Sequence, residues 1–298
     1  MIHILTRLYK DEKDIQTILD LISRIRPPKY IYNYPVKADI EENLASAATR
    51  ANTRLWFDHD QPVGWAYVDE FNNLSWELDS EYEERLGADL VEWGEACIRK
   101  KPTTGRRTTL DTNCREEYSA RISFLTCHGF TQTGETNVFM SRDLSQPIAK
   151  PNLPSGFVIR SVAGAQEAEE VASTHRAAFG TDYMTTENRL IIMNTSEYDP
   201  SLDLVVTAPD GAIAANCICS ANQISKTGST DPVLTHPSFQ RLGLARALLL
   251  TGLRSLQERG MSSAHLGTSG NNLAMQQTAM SAGFRTAYKT LWFSKEVK

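Results

Sequence analysis

The chain has 298 residues, 41% of them hydrophobic and 22% charged, which excludes a disordered or fibrous polymer and allows one large domain or two of ordinary size. Its net charge of -5 argues against a nucleic-acid backbone as the main ligand, because phosphates are gripped by clustered Lys and Arg. Five cysteines, an odd number without paired CxxC spacing, fit neither a disulfide framework nor a zinc site and are expected to be reduced thiols in a cytoplasmic protein that carries no metal.

In chain order, the opening run Met1 to Leu5 stops at Thr6-Arg7 and is followed by Lys10-Asp11-Glu12-Lys13-Asp14, so it is not read as a signal peptide. No other stretch has the length and apolarity of a membrane span. Leu55 to Asp58 and Val63 to Val68, joined by the turn at Asp60-Gln61-Pro62, predict a β-hairpin. A short strand and a helix from Ala88 to Lys100 follow, then a strand, a helix, the pair Gly129-Phe130 and a closing strand, Thr136 to Met140. Ser145 to Gly156, with Pro147, Pro151 and Pro154 and no apolar period, reads as an extended linker.

The same grammar then repeats. Leu204 to Thr207 and Ala212 to Cys219 form a second hairpin around Pro209-Asp210-Gly211, with Cys217 and Cys219 as small buried side chains on a strand. A short strand, a helix from Leu244 to Arg259, a strand, a helix, Gly283-Phe284 and a last strand complete the copy. An internal duplication is the simplest organisation: a domain over residues 1–144, the linker 145–156 and a domain over residues 157–298, each an α/β layer with a mixed central sheet flanked by helices.

The most informative stretch runs from Asp231 to Arg246. Val233, Leu234 and Thr235 suit a strand, and Pro237 holds His236 out of helical angles, so the strand stops there. Apolar residues from Leu242 to Leu256 then keep helical spacing until Gly260. A helix that begins at the end of a strand presents unpaired N–H groups and the positive end of its dipole, which suits a phosphate. Small residues at Gly243 and Ala245 would let a phosphate reach the main chain, and Arg241 and Arg246 add positive charge. By itself the pattern also fits an ordinary strand-to-helix turn.

Gln240-Arg241-Leu242-Gly243-Leu244-Ala245 resembles the acetyl-CoA loop of the GCN5-related N-acetyltransferase (GNAT) superfamily, Gln/Arg-x-x-Gly-x-Gly/Ala. The resemblance continues through Ala264 to Thr268, Asn272-Leu273-Ala274-Met275 and Gly283-Phe284, and covers residues 157–298. It implies two tandem GNAT-like domains, acetyl-CoA as co-substrate, and a small-molecule amine as partner. The cofactor would be held by the loop Gln240 to Arg246, by main-chain pairing with Val233, Leu234 and Thr235, and by Asn272 and Met275 on the pantetheine side. His236, in a His-Pro step common in the family, reads as structural rather than as a base.

The corresponding stretch of the first half keeps Gly87 but surrounds it with Glu81, Glu83, Glu84 and Asp89, which disfavours a pyrophosphate. That half reads as a degenerate copy without cofactor. It is expected to pack on the active half or to wall the acceptor cleft with Tyr30, Tyr32, Tyr34 and Trp56, although such aromatics are more often core.

Acetyl transfer to an amine needs placement, removal of a proton from the ammonium, and stabilisation of the oxyanion and leaving thiolate. Asp231, just before the cofactor strand, is the candidate base, with a capping turn residue as its other reading; Asn216 and Ser220 could orient a water. The family's usual general acid, a Tyr four residues before the Gly of the Gly-Phe pair, is replaced by Ala279; Tyr288 and Ser281 are possible substitutes. A non-catalytic acyl-CoA-binding or sensor protein is therefore the alternative. A dinucleotide-binding domain fits less well, for lack of a full GxGxxG and its later acidic residue. A monomer or a homodimer is compatible with the duplication.

Overall fold

The computed structural model describes residues 4–25, 37–101 and 108–298, which form two compact units. Unit 1 comprises Met1–Gly134 and Thr290–Lys298; unit 2 comprises Glu135–Lys289. Tyr30, Tyr32 and Tyr34 lie outside the described residues.

Unit 1 is built on an antiparallel sheet in the order β1 (Ile4–Leu8), β2 (Thr53–Asp58), β3 (Gln61–Val68), β4 (Leu74–Leu78). Side chains alternate between its faces, as the period of two requires. Leu55, Trp65 and Tyr67 meet Ile15, Ile18, Leu21 and Ile22 of α1 (Lys13–Ile25) and Ile40 and Leu44 of α2 (Lys37–Ala45). A short α3 (Ala47–Ala51), capped by Ser46, leads into β2. On the other face, Trp56, Ala66 and Val68 pack with Leu86, Leu90, Val91, Cys97 and Ile98 of α4 (Glu83–Arg99). Trp56 is fully buried and its indole N–H donates to Asp89 Oδ2 at 2.7 Å, so it is a core residue rather than a cleft wall. The unit continues through β5 (Thr109–Arg115) and α5 (Ser119–Cys127).

Unit 2 takes the strand order β6 (Thr131–Asp143), β11 (Ser263–Ser269), β10 (Thr227–Thr235), β9 (Ile213–Asn222), β8 (Asp203–Thr207), β7 (Val158–Ser161). Only β10 and β11 run parallel; the other neighbours are antiparallel. One face of this mixed sheet carries α8 (Leu244–Glu258) and α9 (Leu273–Ser281), whose Leu248, Leu249, Leu253, Leu256 and Ala279 join Cys217, Cys219, Ala264 and Leu266 in the main core. Fully burying each large aliphatic side chain contributes about 1.5–3 kcal/mol. Helix α8 lies flush on the sheet because a Cβ on its Gly252 would stand 2.5 Å from Cys219 Sγ. Helix α6 (Ala168–Phe179) adds Val171 to a smaller cluster with Val162, Val205 and Ile213, against which Met193 of α7 (Thr186–Met193) packs.

The element succession of the first half, including its hairpin, long helix and Gly-Phe turn, recurs in the second. The closing strands are exchanged between sequence halves. The 135–143 part of β6 pairs with β11 from Asn137↔Ser269 to Asp143↔Ser263 and belongs to unit 2. The last strand, β12 (Arg285–Glu296), pairs with β5 from Thr290↔Arg115 to Glu296↔Thr109, and these residues belong to unit 1. The Pro-rich segment 145–156 lies within unit 2.

Candidate functional site

Strand β10 begins six residues before the apolar run that announces it, because its first residues, Thr227-Gly228-Ser229-Thr230, are small and polar. Its parallel pairing with β11 covers only Thr227↔Ser263, Gly228↔Ala264 and Ser229↔His265. Beyond that point β10 stays with β9 as far as Thr235↔Ala215, while β11 stays with β6 as far as Ser269↔Asn137. The two parallel strands therefore part, and the β11-facing main-chain groups of Val233, Leu234 and Thr235 have no ladder partner on that side. Such an edge can pair with an extended amide-bearing ligand. Asp231 and Pro232 occupy the register shift between Thr230 and Val233 at the fork.

The strand ends in a 3-10 turn, Pro237–Phe239. His236 is committed to it: its N–H donates to Ala214 O at 2.9 Å and its Nδ1 accepts from Ser238 N at 3.2 Å. Arg241 and Gly243 then adopt left-handed backbone angles, with φ of 63° and 78°. Gly243 is the N-cap of α8 and offers no side-chain cap, and a Cβ there would meet nothing within 4 Å. The first N–H of α8 to find an acceptor is that of Ala247, which donates to Gly243 O at 3.0 Å. Among the described residues, no acceptor meets the N–H groups of residues 241–246. Gln240, Arg241, Leu242 and Gly243 are exposed, Ala245 and Arg246 half-buried, and Leu244 anchors the loop in the core. An open row of amides at the positive end of a 15-residue helix has the chemistry that suits a phosphate or pyrophosphate. The structure thus brings together on consecutive elements the strand edge Val233–Thr235 and the loop Gln240–Arg246.

Other sequence-derived residues have local duties. Asn272 is the N-cap of α9, its Oδ1 accepting from Met275 N at 3.1 Å. Met275 packs against the main core. Arg246 Nε donates to Ser281 O at 3.2 Å, tying the start of α8 to the end of α9. Ala279 is fully buried in the core and has no acid to offer. Of its two possible substitutes, Ser281 donates back to Thr278 O at 2.7 Å, whereas Tyr288 is 6% exposed and stacks on Phe139 at 4.7 Å.

The sheet face opposite α8 and α9 carries the polar side chains nearest the fork. Leu266 and Ala264 point to the core, so His265 and Gly267 face the other way. A Cβ on Gly267 would stand 3.7 Å from Asp231 Oδ2 and 3.2 Å from Phe139 Cε1. His265 accepts or donates through Nε2 to Ser263 Oγ at 3.0 Å, and burial pushes its pKa down to about 4, which leaves it neutral at pH 7. Asn216 is not placed to orient a water: it is buried and donates to Asp203 Oδ1 and Leu204 O. Asp203 also pairs with the buried Arg189 and accepts from Tyr198 Oη at 2.6 Å. Ser220 and Ser229 hydroxyls share a hydrogen bond of 2.8 Å. The Cys217 thiol, hydrogen-bonded to Cys219 and buried, is raised well above its usual range and is no nucleophile.

Phe139, His265 and the Arg189–Asp203 pair escaped the sequence reading, since each depends on which strand face or distant helix a residue meets. The alternation Met140, Phe139, Val138 was the only signal, and it required knowing that β6 pairs with β11. Among the described residues no group of three or more His, Cys, Asp or Glu could hold a metal ion, and no helix is long and apolar enough to cross a membrane.

Residues 168–284 match the model of the acetyltransferase (GNAT) family. The chain is 29% identical over 158 residues to a mycothiol acetyltransferase of Nocardia farcinica, covering 50% of this chain and 52% of that protein. It is 27% identical over 154 residues to a mycothiol acetyltransferase of Nocardiopsis dassonvillei, covering 48% and 46% of the two chains. The matches thus span about half the length of these curated relatives. Among solved structures, a GCN5-related N-acetyltransferase from Sphaerobacter thermophilus superposes with TM-score 0.74 and 19% identity over 99% of this chain and 96% of that one. A tandem GNAT protein from the clavulanic acid biosynthesis pathway superposes with TM-score 0.74 and 15% identity over 99% and 98%. The forked strands and amide-lined loop described above lie within residues 168–284, the segment that matches the acetyltransferase (GNAT) family, and the chain as a whole has the fold of a tandem GNAT protein.

Proposed function

We propose that unit 2 binds acetyl-CoA and catalyses transfer of its acetyl group to the amine of a small molecule. The observation that carries this reading is the row of unpartnered N–H groups from Arg241 to Arg246 at the start of α8, beside the free edge of Val233–Thr235. The donor residues present fit the molecule: main-chain amides and Arg241 for the diphosphate, the strand edge for the pantetheine amides, and Asn272 and Met275 further along the arm. When bound, acetyl-CoA supplies a thioester as the acyl source. Asp231, at the fork, takes a proton from the acceptor's ammonium, so that the neutral nitrogen can form the C–N bond as the C–S bond breaks. The thiolate is only moderately basic and can leave without a strong acid, which makes Ala279 tolerable.

Calorimetry with acetyl-CoA tests the reading. Gly243→Glu sets a carboxylate in the amide row and a side chain on a left-handed backbone, and is expected to weaken binding by at least about tenfold, about 1.4 kcal/mol. No binding by the native chain, or unchanged affinity in the variant, overturns it. Ala279, buried where the family carries its acid, favours a second reading as an acyl-CoA binder without turnover. Saturable binding with no CoA release across a panel of amines would select that reading.

A further inference from the structure

Unit 1 has a fork of its own. Strands β4 and β5 meet in a parallel bridge, Asn73↔Asp111, after which β4 stays with β3 as far as Gly64↔Leu78 and β5 stays with β12 as far as Thr290↔Arg115. The N–H of Asp79 donates to Val63 O and that of Asp69 to Asn73 O, so the odd-numbered residues of β4 are tied to β3. The main-chain groups of Leu74, Trp76 and Leu78 therefore turn to the open side. This edge corresponds to Val233–Thr235 of unit 2, but two of its carbonyls are taken. Thr112 Oγ1 donates to Leu74 O at 2.8 Å, and Arg121 Nη1 donates to Trp76 O at 3.4 Å. The same guanidinium lies 3.8 Å from the centre of the Trp76 ring and pairs with Glu77 Oε2 at 2.8 Å. Successive side chains of a strand point to opposite faces, so a group that touches both Trp76 and Glu77 sits in the mouth of the fork itself. Arg121 is the third residue after Tyr118, the N-cap of α5, as Met275 is the third after Asn272, the N-cap of α9. At the place where unit 2 carries a thioether, unit 1 carries a cation.

We propose that Arg121 is a built-in plug: it occupies the strand edge of unit 1 with which an extended amide ligand would pair, and so confines acetyl-CoA to unit 2, one molecule per chain. The plug stands on the fork of unit 1 alone; the count of one rests on the acetyl-CoA reading of unit 2. The side chains of Arg121 and Glu77 are only 20% and 13% exposed, so their ion pair is shielded from the water and salt that weaken surface pairs. The buried Trp76 ring adds a cation–π contact. Phe124 of α5 packs on Trp76 with ring centroids 5.1 Å apart and fills the space above Gly87 of α4, which fixes the helix that carries the plug. A neutral pantetheine arm can replace the hydrogen bond to Trp76 O, but neither the ion pair nor the ring contact, so it does not displace the guanidinium. Glu83 and Glu84 in the first turn of α4 separately disfavour a diphosphate.

All five tryptophans belong to unit 1, so their indole N–H signals in NMR report on that unit. The probe is S-acetylpantetheine, which keeps the amide-bearing arm and lacks the diphosphate. Titrated into the native full chain, it is expected to leave the Trp76 signal, identified with Trp76→Phe, in place. In Arg121→Met, which copies Met275, the signal should move saturably, with an apparent affinity at least about tenfold above the native chain's. A plug seated more than about nine-tenths of the time lowers apparent affinity by that factor. Calorimetry should find one equivalent of acetyl-CoA on the native chain and the same affinity in Arg121→Met. A saturable Trp76 shift in the native chain, a second equivalent of acetyl-CoA, or no shift in a folded Arg121→Met overturns the proposal. Should a thermal melt show Arg121→Met unfolded, Arg121→Gln takes its place, and the native stoichiometry decides in either case. If the native chain binds no acetyl-CoA at all, the acetyl-transfer reading falls, while the Trp76 titration still decides the plug.

Discussion

Burying His265 as a neutral imidazole couples a proton equilibrium to folding. Its pKa is pushed from 6.5 down to about 4 by burial, so below pH 6.5 the unfolded chain binds a proton that the folded chain refuses. The stability this residue permits is therefore full above pH 6.5 and declines as pH falls toward 4. A shift of this size corresponds to about 2 kcal/mol lost by pH 4.5, at 1.36 kcal/mol per pKa unit. Urea melts of the native chain and of His265→Gln at pH 7.5 and 4.5 check the sign: the variant should lose less stability between the two values. A larger loss in the variant would mean that the imidazole is charged in the folded state. Such a group cannot be picked out by composition, because His265 sits in a strand whose alternation makes it look like an outward-facing polar residue.

At the scale of elements, a single glycine does opposite jobs in the two copies. Gly243 precedes the first residue of α8 at positive φ with open space around it, whereas α4 begins at Glu83, so Gly87 lies one turn inside its helix. By sequence Gly87 corresponds to Gly243, but the two glycines occupy different places in their helices. A Cβ at Gly87 would stand 2.2 Å from Phe124 Cε2 of α5, so this glycine serves close helix packing rather than ligand approach. Gly87→Ala is expected to destabilise the protein by about 1–3 kcal/mol through overpacking, while leaving acetyl-CoA affinity unchanged. Thermal melts and calorimetry on that one variant separate the two roles; a drop in affinity would indicate that the first copy also contributes to the cofactor. The carboxylates around Gly87 are accounted for in the same way. Glu83 and Glu84 sit in the first turn of α4, where they complement the helix dipole, and Asp89 holds Trp56.

What was legible follows the range of the interactions. The loop Gln240 to Arg246 could be read because its chemistry is local: a strand end, a proline, small residues and a helical period lie within 16 residues, Asp231 to Arg246. Leu248, Leu249, Leu253 and Leu256, all buried in α8, followed from the same period, whereas the buried Leu244 and Leu250 fall outside it and Leu242, which fits it, is exposed. The fork was half legible, since Asp231 announced itself by position but Phe139 and Gly267 come from strands distant in sequence, and only their register brings them together. The early start of β10 was hidden by its Ser, Thr and Gly residues, which are chosen by close packing, as at Gly228 under Leu256, rather than by strand propensity.

At the scale of the whole chain, duplication did not leave each sequence half to complete its own sheet. Strand pairing between β5 and Thr290–Glu296 joins the last strand of the chain to a strand of its first half in unit 1, and no local periodicity encodes a partner so far away. Phe293, 2% exposed, enters the same core as Trp56, Leu90 and Leu110, and Leu291 and Val297 pack against it, so β12 contributes to the hydrophobic core of unit 1. Phe293→Ala removes a buried ring from that core and is expected to cost about 3–5 kcal/mol. Hydrogen exchange localises the damage: amides of Leu110 to Cys114, which face β12 in the ladder, should lose protection, as should those of α4 packed on the same cluster. Closing a chain of this length into one ladder is entropically expensive, but the cost grows only logarithmically with loop length, so one well-buried aromatic and a seven-residue pairing can offset it. Undiminished protection of β5 in Phe293→Ala would show that the terminal strand is dispensable to unit 1, and that each half can fold on the contacts written within it.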